Sequence, residues 1–197
     1  MIPDMKCPEQ RDARGAFVTT YSGAKFFIEE GNVEDVPLWD IAHALAMNCR
    51  FNGHLKYFYS VAEHSIHVAN LSPPEYRLEA LMHDVSEAFL PDVPRPFKRF
   101  ISGFDGYEES LHEKISEHYN LVYPLPPAVA YIDKHIVRAE AERLYKSPPS
   151  WVEFYDEIPG ADDEFEGAGW GFGLAALRWY NAVVEEQTTR REGLEQG

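Results

Sequence analysis

Cysteine is scarce in this chain: Cys7 and Cys49 are the only two in 197 residues. Two cysteines cannot build a disulfide framework, and such sparing use fits a reducing compartment, so the expected location is the cytoplasm. Positive charge is the second shortage. Eighteen Lys and Arg stand against 33 Asp and Glu, a formal net charge of −15. This argues against a nucleic-acid polymer or an anionic membrane surface as partner, because both select a basic footprint. A small anionic substrate is still admissible, provided a metal and a few local Arg or Lys reverse the field. Long apolar runs are missing as well: none approaches the ~18 residues of a membrane span. The N-terminus lacks the basic-then-apolar pattern of an export signal, and there is no internal repeat. With 45% hydrophobic residues, the chain is long enough to bury a real core.

The local signals are mostly helical. The expected architecture is one all-α domain over residues 17–187, with poorly ordered tails at 1–16 and 188–197. Residues 17–27 have strand-like composition around a Ser-Gly turn and predict a short hairpin laid on the body. Helices are predicted over 37–47, 60–71, 75–90, 104–119, 127–146 and 174–187. The second opens with a capping box, Ser60 to Glu63, and Ser102 stands ready to cap the fourth. Residues 147–171 are acidic, aromatic and rich in loop formers.

The chemistry gathers around the helix predicted at 75–90. At ~100° per residue, Leu78, Leu81, Met82, Val85 and Phe89 fall on one side, and His83, Asp84 and Glu87 share an arc on the other. Taken alone, that arc reads as a solvated face, so partners elsewhere decide. On the helix at 60–71, His64 falls inward between Val61, Val68 and Leu71, with Glu63 and His67 towards the rim. On the helix at 127–146, Asp133 lies in the middle of the apolar stripe of Val129, Ile132, Ile136 and Val137, with Glu140 a weaker competitor near it. A buried unpaired carboxylate is expensive, so Asp133 needs a cation or strong donors. His64, His83, Asp84 and Asp133 together offer two imidazoles and two carboxylates. That set suits one divalent transition metal such as Mn, Co, Ni, Zn or Fe, with Mg less apt because of the His pair. Four protein ligands in an octahedral site leave two positions open, as hydrolysis requires.

Several ordered segments carry this pattern: DIAHAL (40–45), CRFNGH (49–54), YSVAEHS (59–65), LMHDVSEAFLPDVPRPFK (81–98) and IDKHI (132–136). His…His-Asp…Asp on an all-helical chain resembles the HD-domain phosphohydrolases, and the segments are similar in order to their bacterial and phage 5′-deoxynucleotidase-like branch. The resemblance spans residues 21–144. It implies that His64, His83, Asp84 and Asp133 are the metal ligands. Glu87 would work on the nucleophilic water or leaving group, and Asp92 would be a second acid near the sugar and phosphate. Arg50 would bind phosphate, while Phe51 stands where that branch often has Trp, offering a ring to stack on. Arg95 and Lys98 are further candidate phosphate contacts. The implied substrate is a deoxynucleotide, cleaved at its 5′-phosphate end by a homodimeric enzyme. The alternatives are a dATP-type triphosphohydrolase, for which Lys56, Arg95, Lys98 and Arg99 would supply extra cations and Mg would assist, and a non-catalytic nucleotide-binding module.

Overall fold

A computed structural model describes residues 11–195, of which most are helical. At the N-terminal side, β1 (Arg11–Asp12), β2 (Gly15–Thr19) and β3 (Lys25–Phe27) form an antiparallel sheet in the order β1-β2-β3. Phe17 pairs with Phe27 and Thr19 with Lys25 across the predicted hairpin. Gly23, at φ +93°, takes the left-handed position that its turn requires. The sheet begins earlier than expected: β1 and the first two residues of β2 fall before residue 17. Lys25 Nζ reaches Asp12 Oδ2 at 2.7 Å and Arg14 pairs with Glu30, which ties the first turn down. The rest of the tail predicted at 1–16 lies outside the described residues.

Eight α-helices follow among the described residues: α1 (Leu38–Met47), α2 (Val61–Leu71), α3 (Arg77–Met82), α4 (Arg95–Lys98), α5 (Phe104–Tyr119), α6 (Pro127–Leu144), α7 (Ala161–Glu164) and α8 (Phe172–Glu195). None is long and apolar enough to cross a membrane. The mostly-α class with an N-terminal hairpin is therefore as expected. The hairpin docks through Phe26, stacked on Phe89 at 3.8 Å between ring centroids. It also docks through Asp40 on α1, which accepts from Thr20 Oγ1, Ser22 N–H and Ser22 Oγ.

α2 is the central helix. Every residue from Val61 to Ala69 is buried, including Glu63 and His67, which the helical wheel had placed at the rim. The covering element is the acidic, aromatic segment after α6. Ser60 Oγ does accept the Glu63 N–H, but the Glu63 carboxylate does not return to close a capping box. It accepts instead from the Gly169 and Trp170 amides at 2.6 and 3.0 Å. His67 then lies against the Phe165 and Trp170 rings, and its Nδ1 is 3.3 Å from Glu164 Oε2.

Two other boundaries differ from expectation. α5 is preceded by Gly103 at φ +81°, with no side-chain cap from Ser102. α8 runs on to Glu195 where a frayed tail was expected from 188, because Arg190 reaches back to the buried Glu79 of α3.

Candidate metal centre

The helix predicted over 75–90 is broken, and the break builds the site. α3 ends at Met82, and a 3-10 turn over Val85–Ala88 follows, with Asp84 at φ −104°, ψ 18° between them. In a continuous helix the Ala80 carbonyl would accept from the Asp84 amide four residues on. Here the His83 Nδ1–H donates to that carbonyl at 2.7 Å. His83 thus satisfies Ala80 and fixes its own tautomer, leaving Nε2 free to face inward. Released from helical geometry, Asp84 turns to the same side, with Oδ2 3.2 Å from His83 Nε2. Successive helical residues would diverge by ~100°; this turn brings them together.

α2 and α6 supply the other two groups. His64 Nε2 lies 3.3 Å from His83 Nε2, 3.2 Å from Asp133 Oδ1 and 3.5 Å from Asp84 Oδ2. His83 Nε2 lies 3.4 Å from Asp133 Oδ1. One ligand atom from each of the four residues falls within 4.8 Å of the others, so the group can hold a metal ion. The fit is good in detail. Ligand bonds of ~2.1 Å at right angles place neighbouring donor atoms about 3 Å apart. Both Nδ1 atoms are occupied by outer partners, so both Nε2 lone pairs converge.

The electrostatics agree with a site built for a cation. Burial pushes Asp84 up, but the His83 and His64 imidazoles more than offset it and hold Asp84 well below the usual carboxylate range. Asp133 is depressed in the same way, burial again being outweighed by His64 and His83. His83 is correspondingly raised: burial opposes its charge, and Asp84 and Asp133 favour it.

The remaining predicted residues line a cleft of about 490 Å³ that opens beside the cluster. Glu87 sits at its floor with Oε2 buried and without a partner. Burial, helped by Asp84 and Asp92, raises it well above the ordinary range. Asp92 is on the same wall and is raised by burial too, with Arg50 opposing. Phe51 lies in the left-handed region (φ 53°) and meets Tyr145 edge-on at 5.6 Å. Arg95 is two-thirds exposed, 3.8 Å from Asp133 Oδ2. Lys98 is engaged elsewhere, its Nζ donating to both carboxylate oxygens of Glu108 at 2.8 and 2.9 Å. Arg50 is nearly buried, 3.5 Å from Asp84 Oδ2 and 3.2 Å from Glu140 Oε2.

Two features of the site were missed by sequence reasoning. Trp151 and Tyr155, from the segment after α6, complete an aromatic wall with Tyr145. His135 Nδ1, accepting the Asp156 amide at 2.7 Å, pins that segment to α6. Glu140, read as a weak competitor to Asp133, is fully buried and meets His64 Nδ1 at 2.6 Å. Its spacing from Asp133 was the available signal, since seven residues are almost two full turns and put both carboxylates on one face.

No model of a known protein family matches the chain. It is 36% identical over 147 residues to the uncharacterized protein YfdR of Escherichia coli K12, a match covering 75% of this chain and 83% of YfdR. It is 35% identical over 140 residues to an uncharacterized protein of Rhodobacter capsulatus, covering 62% and 70% of the two chains.

Proposed function

The chain belongs to the YfdR family, and we propose that it is a divalent-metal-dependent phosphohydrolase of the HD-domain type, acting as a 5′-deoxynucleotidase. The observation that carries this reading is the convergence of His64, His83, Asp84 and Asp133 from three segments on one point at the end of a cleft. A divalent transition metal held by these four residues would supply Lewis acidity towards a phosphoryl oxygen and lower the pKa of a water molecule.

The chain's own groups account for the rest. Arg50, at the cluster, is placed to donate to a phosphate oxygen, and Arg95 and Lys134 add charge at the cleft mouth. Phe51, Tyr145, Trp151 and Tyr155 offer apolar faces to a sugar and base. Glu87, unpartnered at Oε2, is suited to hold and pass a proton. In the reaction the water oxygen bonds to phosphorus, the P–O5′ bond breaks, and a proton ends on the 5′ oxygen. Asp92 is the second acid near that leaving oxygen.

One observation favours a monophosphate over a triphosphate. Of the four cations the triphosphate reading calls on, Lys98 is held by Glu108, and Arg99 lies over the Phe100 ring at 4.8 Å. A single phosphate needs little beyond the metal and Arg50. Product analysis of the metal-reconstituted protein, with dAMP and dATP supplied separately, is the test. Deoxyadenosine and phosphate from dAMP are expected. Tripolyphosphate from dATP alone would move the assignment to the triphosphohydrolase. No hydrolysis of either by protein with a filled site would leave a nucleotide-binding module.

A further inference from the structure

Glu140 is buried completely and meets three side chains at once. His64 Nδ1–H donates to Oε1 at 2.6 Å, Tyr59 Oη–H donates to Oε1 at 3.0 Å, and an Arg50 terminal nitrogen donates to Oε2 at 3.2 Å. A carboxylate without its proton only accepts, so this geometry puts the His64 proton on Nδ1 and leaves Nε2 as the inward lone pair. The same carboxylate fixes the guanidinium that faces the cleft. A charged group sealed from water is costly unless its partners are fixed, and here two of the three partners are the groups on which the proposed chemistry depends. The other fully buried positions nearby on α6, Ile136, Ala141 and Leu144, are apolar, so Glu140 stands out among them as a buried charge.

We infer that Glu140 is a positioning residue, which sets the tautomer and orientation of His64 for metal binding and aims Arg50 at the phosphate. This rests on the metal reading above and extends it to a residue that touches neither the metal nor the substrate. Carboxylate partners of this kind orient a ligating imidazole and change metal affinity by roughly 10–100-fold.

The test is a cobalt titration of metal-free wild type, Glu140→Gln, Glu140→Asp and Tyr59→Phe, with the imidazole ¹⁵N resonances of the metal-free proteins recorded alongside at alkaline pH, where the imidazoles are neutral. Glu140→Gln keeps the shape but loses the charge, and is expected to weaken cobalt binding about 10–100-fold. Glu140→Asp keeps the charge but not the reach, and should lie between Gln and wild type. Tyr59→Phe removes a bond to the same carboxylate without touching His64, and should bind cobalt as wild type does. In wild type the His64 signals should report a proton on Nδ1, with that preference lost or weakened in Glu140→Gln. Wild-type affinity together with an unchanged His64 signature in Glu140→Gln would overturn the inference. If Glu140→Gln does not fold, Glu140→Asp carries the comparison, and wild-type affinity there would overturn it equally. Wild type that bound no cobalt would be a different failure, because the metal reading would fall and the inference with it.

Discussion

Glu79 and the His83–Asp84 pair stand four residues apart on one segment, and each puts a carboxylate among buried neighbours. Glu79 is closed off: its side chain is 1% exposed, Arg190 of α8 pairs with it, and the Val122 amide donates to Oε1 at 3.0 Å. Asp84 is left open. Its neighbours are the His83 and His64 imidazoles at 3.2 and 3.5 Å, a second carboxylate, and Arg50 at 3.5 Å, and 18% of its side chain reaches solvent. Both arrangements answer the cost of burying charge. The closed one answers it with a permanent cation from the chain, which a fold needs. The open one gathers donors of one kind around a common point, where an added cation can be held. Buried acid alone therefore does not mark a site; buried acid for which the chain brings too few cations does.

Emptying the open group gives the largest expected effect. Asp84→Ala or Asp133→Ala should reduce metal content, measured by elemental analysis after reconstitution, to background, and phosphohydrolysis should vanish with it. The metal-free variants should also melt lower, because His64 and His83 lose a carboxylate that balances them, so circular dichroism of the same samples must show a folded protein. Equal metal content in wild type and both variants would reject the site.

Glu87 tests the next step, since it borders the cluster without completing it. Glu87→Ala should retain the metal and the fold while turnover falls on the order of 10²-fold or more, the usual contribution of a placed proton-transfer group. Near-wild-type turnover would remove it from the mechanism. Metal content measured in the same sample separates this result from loss of a ligand.

How much of this contrast could be read from the sequence follows from what periodicity encodes. The inward positions of His64 and Asp133 were legible, because each sits in an apolar stripe on a helix that forms as expected. Ordered motifs carried the other two residues of the cluster, His83 and Asp84. The break after Met82 was hidden: nothing in a hydrophobic pattern reports that His83 takes the Ala80 carbonyl from the backbone. Burial of Glu63 and His67 was also hidden. A single helix shows which face is apolar, but these two polar residues are covered by amides and rings from residues about 100 positions later. Glu79 went unremarked for the same reason. Its partner Arg190 lies in a stretch that looked like a frayed end and is helical because of this contact among others.

The closed group sharpens the comparison from the other side, with the smallest effect. Glu79→Gln leaves an acceptor for the Val122 amide but strips Arg190 of its charge partner. Metal content should stay at the wild-type level, and stability at neutral pH should fall by about 1–2 kcal/mol. Arg190 is about one-third exposed, so water takes up part of the guanidinium's demand and keeps the loss from being larger. The pH dependence identifies the cause. Burial pushes Glu79 up, but Arg190 and the Val122 amide outweigh it and leave the carboxyl below its ordinary 4.5. A depressed folded value means that the stabilisation is complete above 4.5 and is lost as pH falls from there through the folded value. Glutamine has no such proton to bind. The melting-temperature gap between wild type and Glu79→Gln, measured on metal-free protein, should therefore be widest near neutrality and close as the pH drops below 4.5. Other depressed carboxylates, such as Asp40 held by Thr20 and Ser22, titrate alike in both proteins and cancel in the difference. A gap that stays constant through the acid range would mean that Glu79 contributes shape rather than charge, and the contrast between the closed and open groups would lose its electrostatic basis.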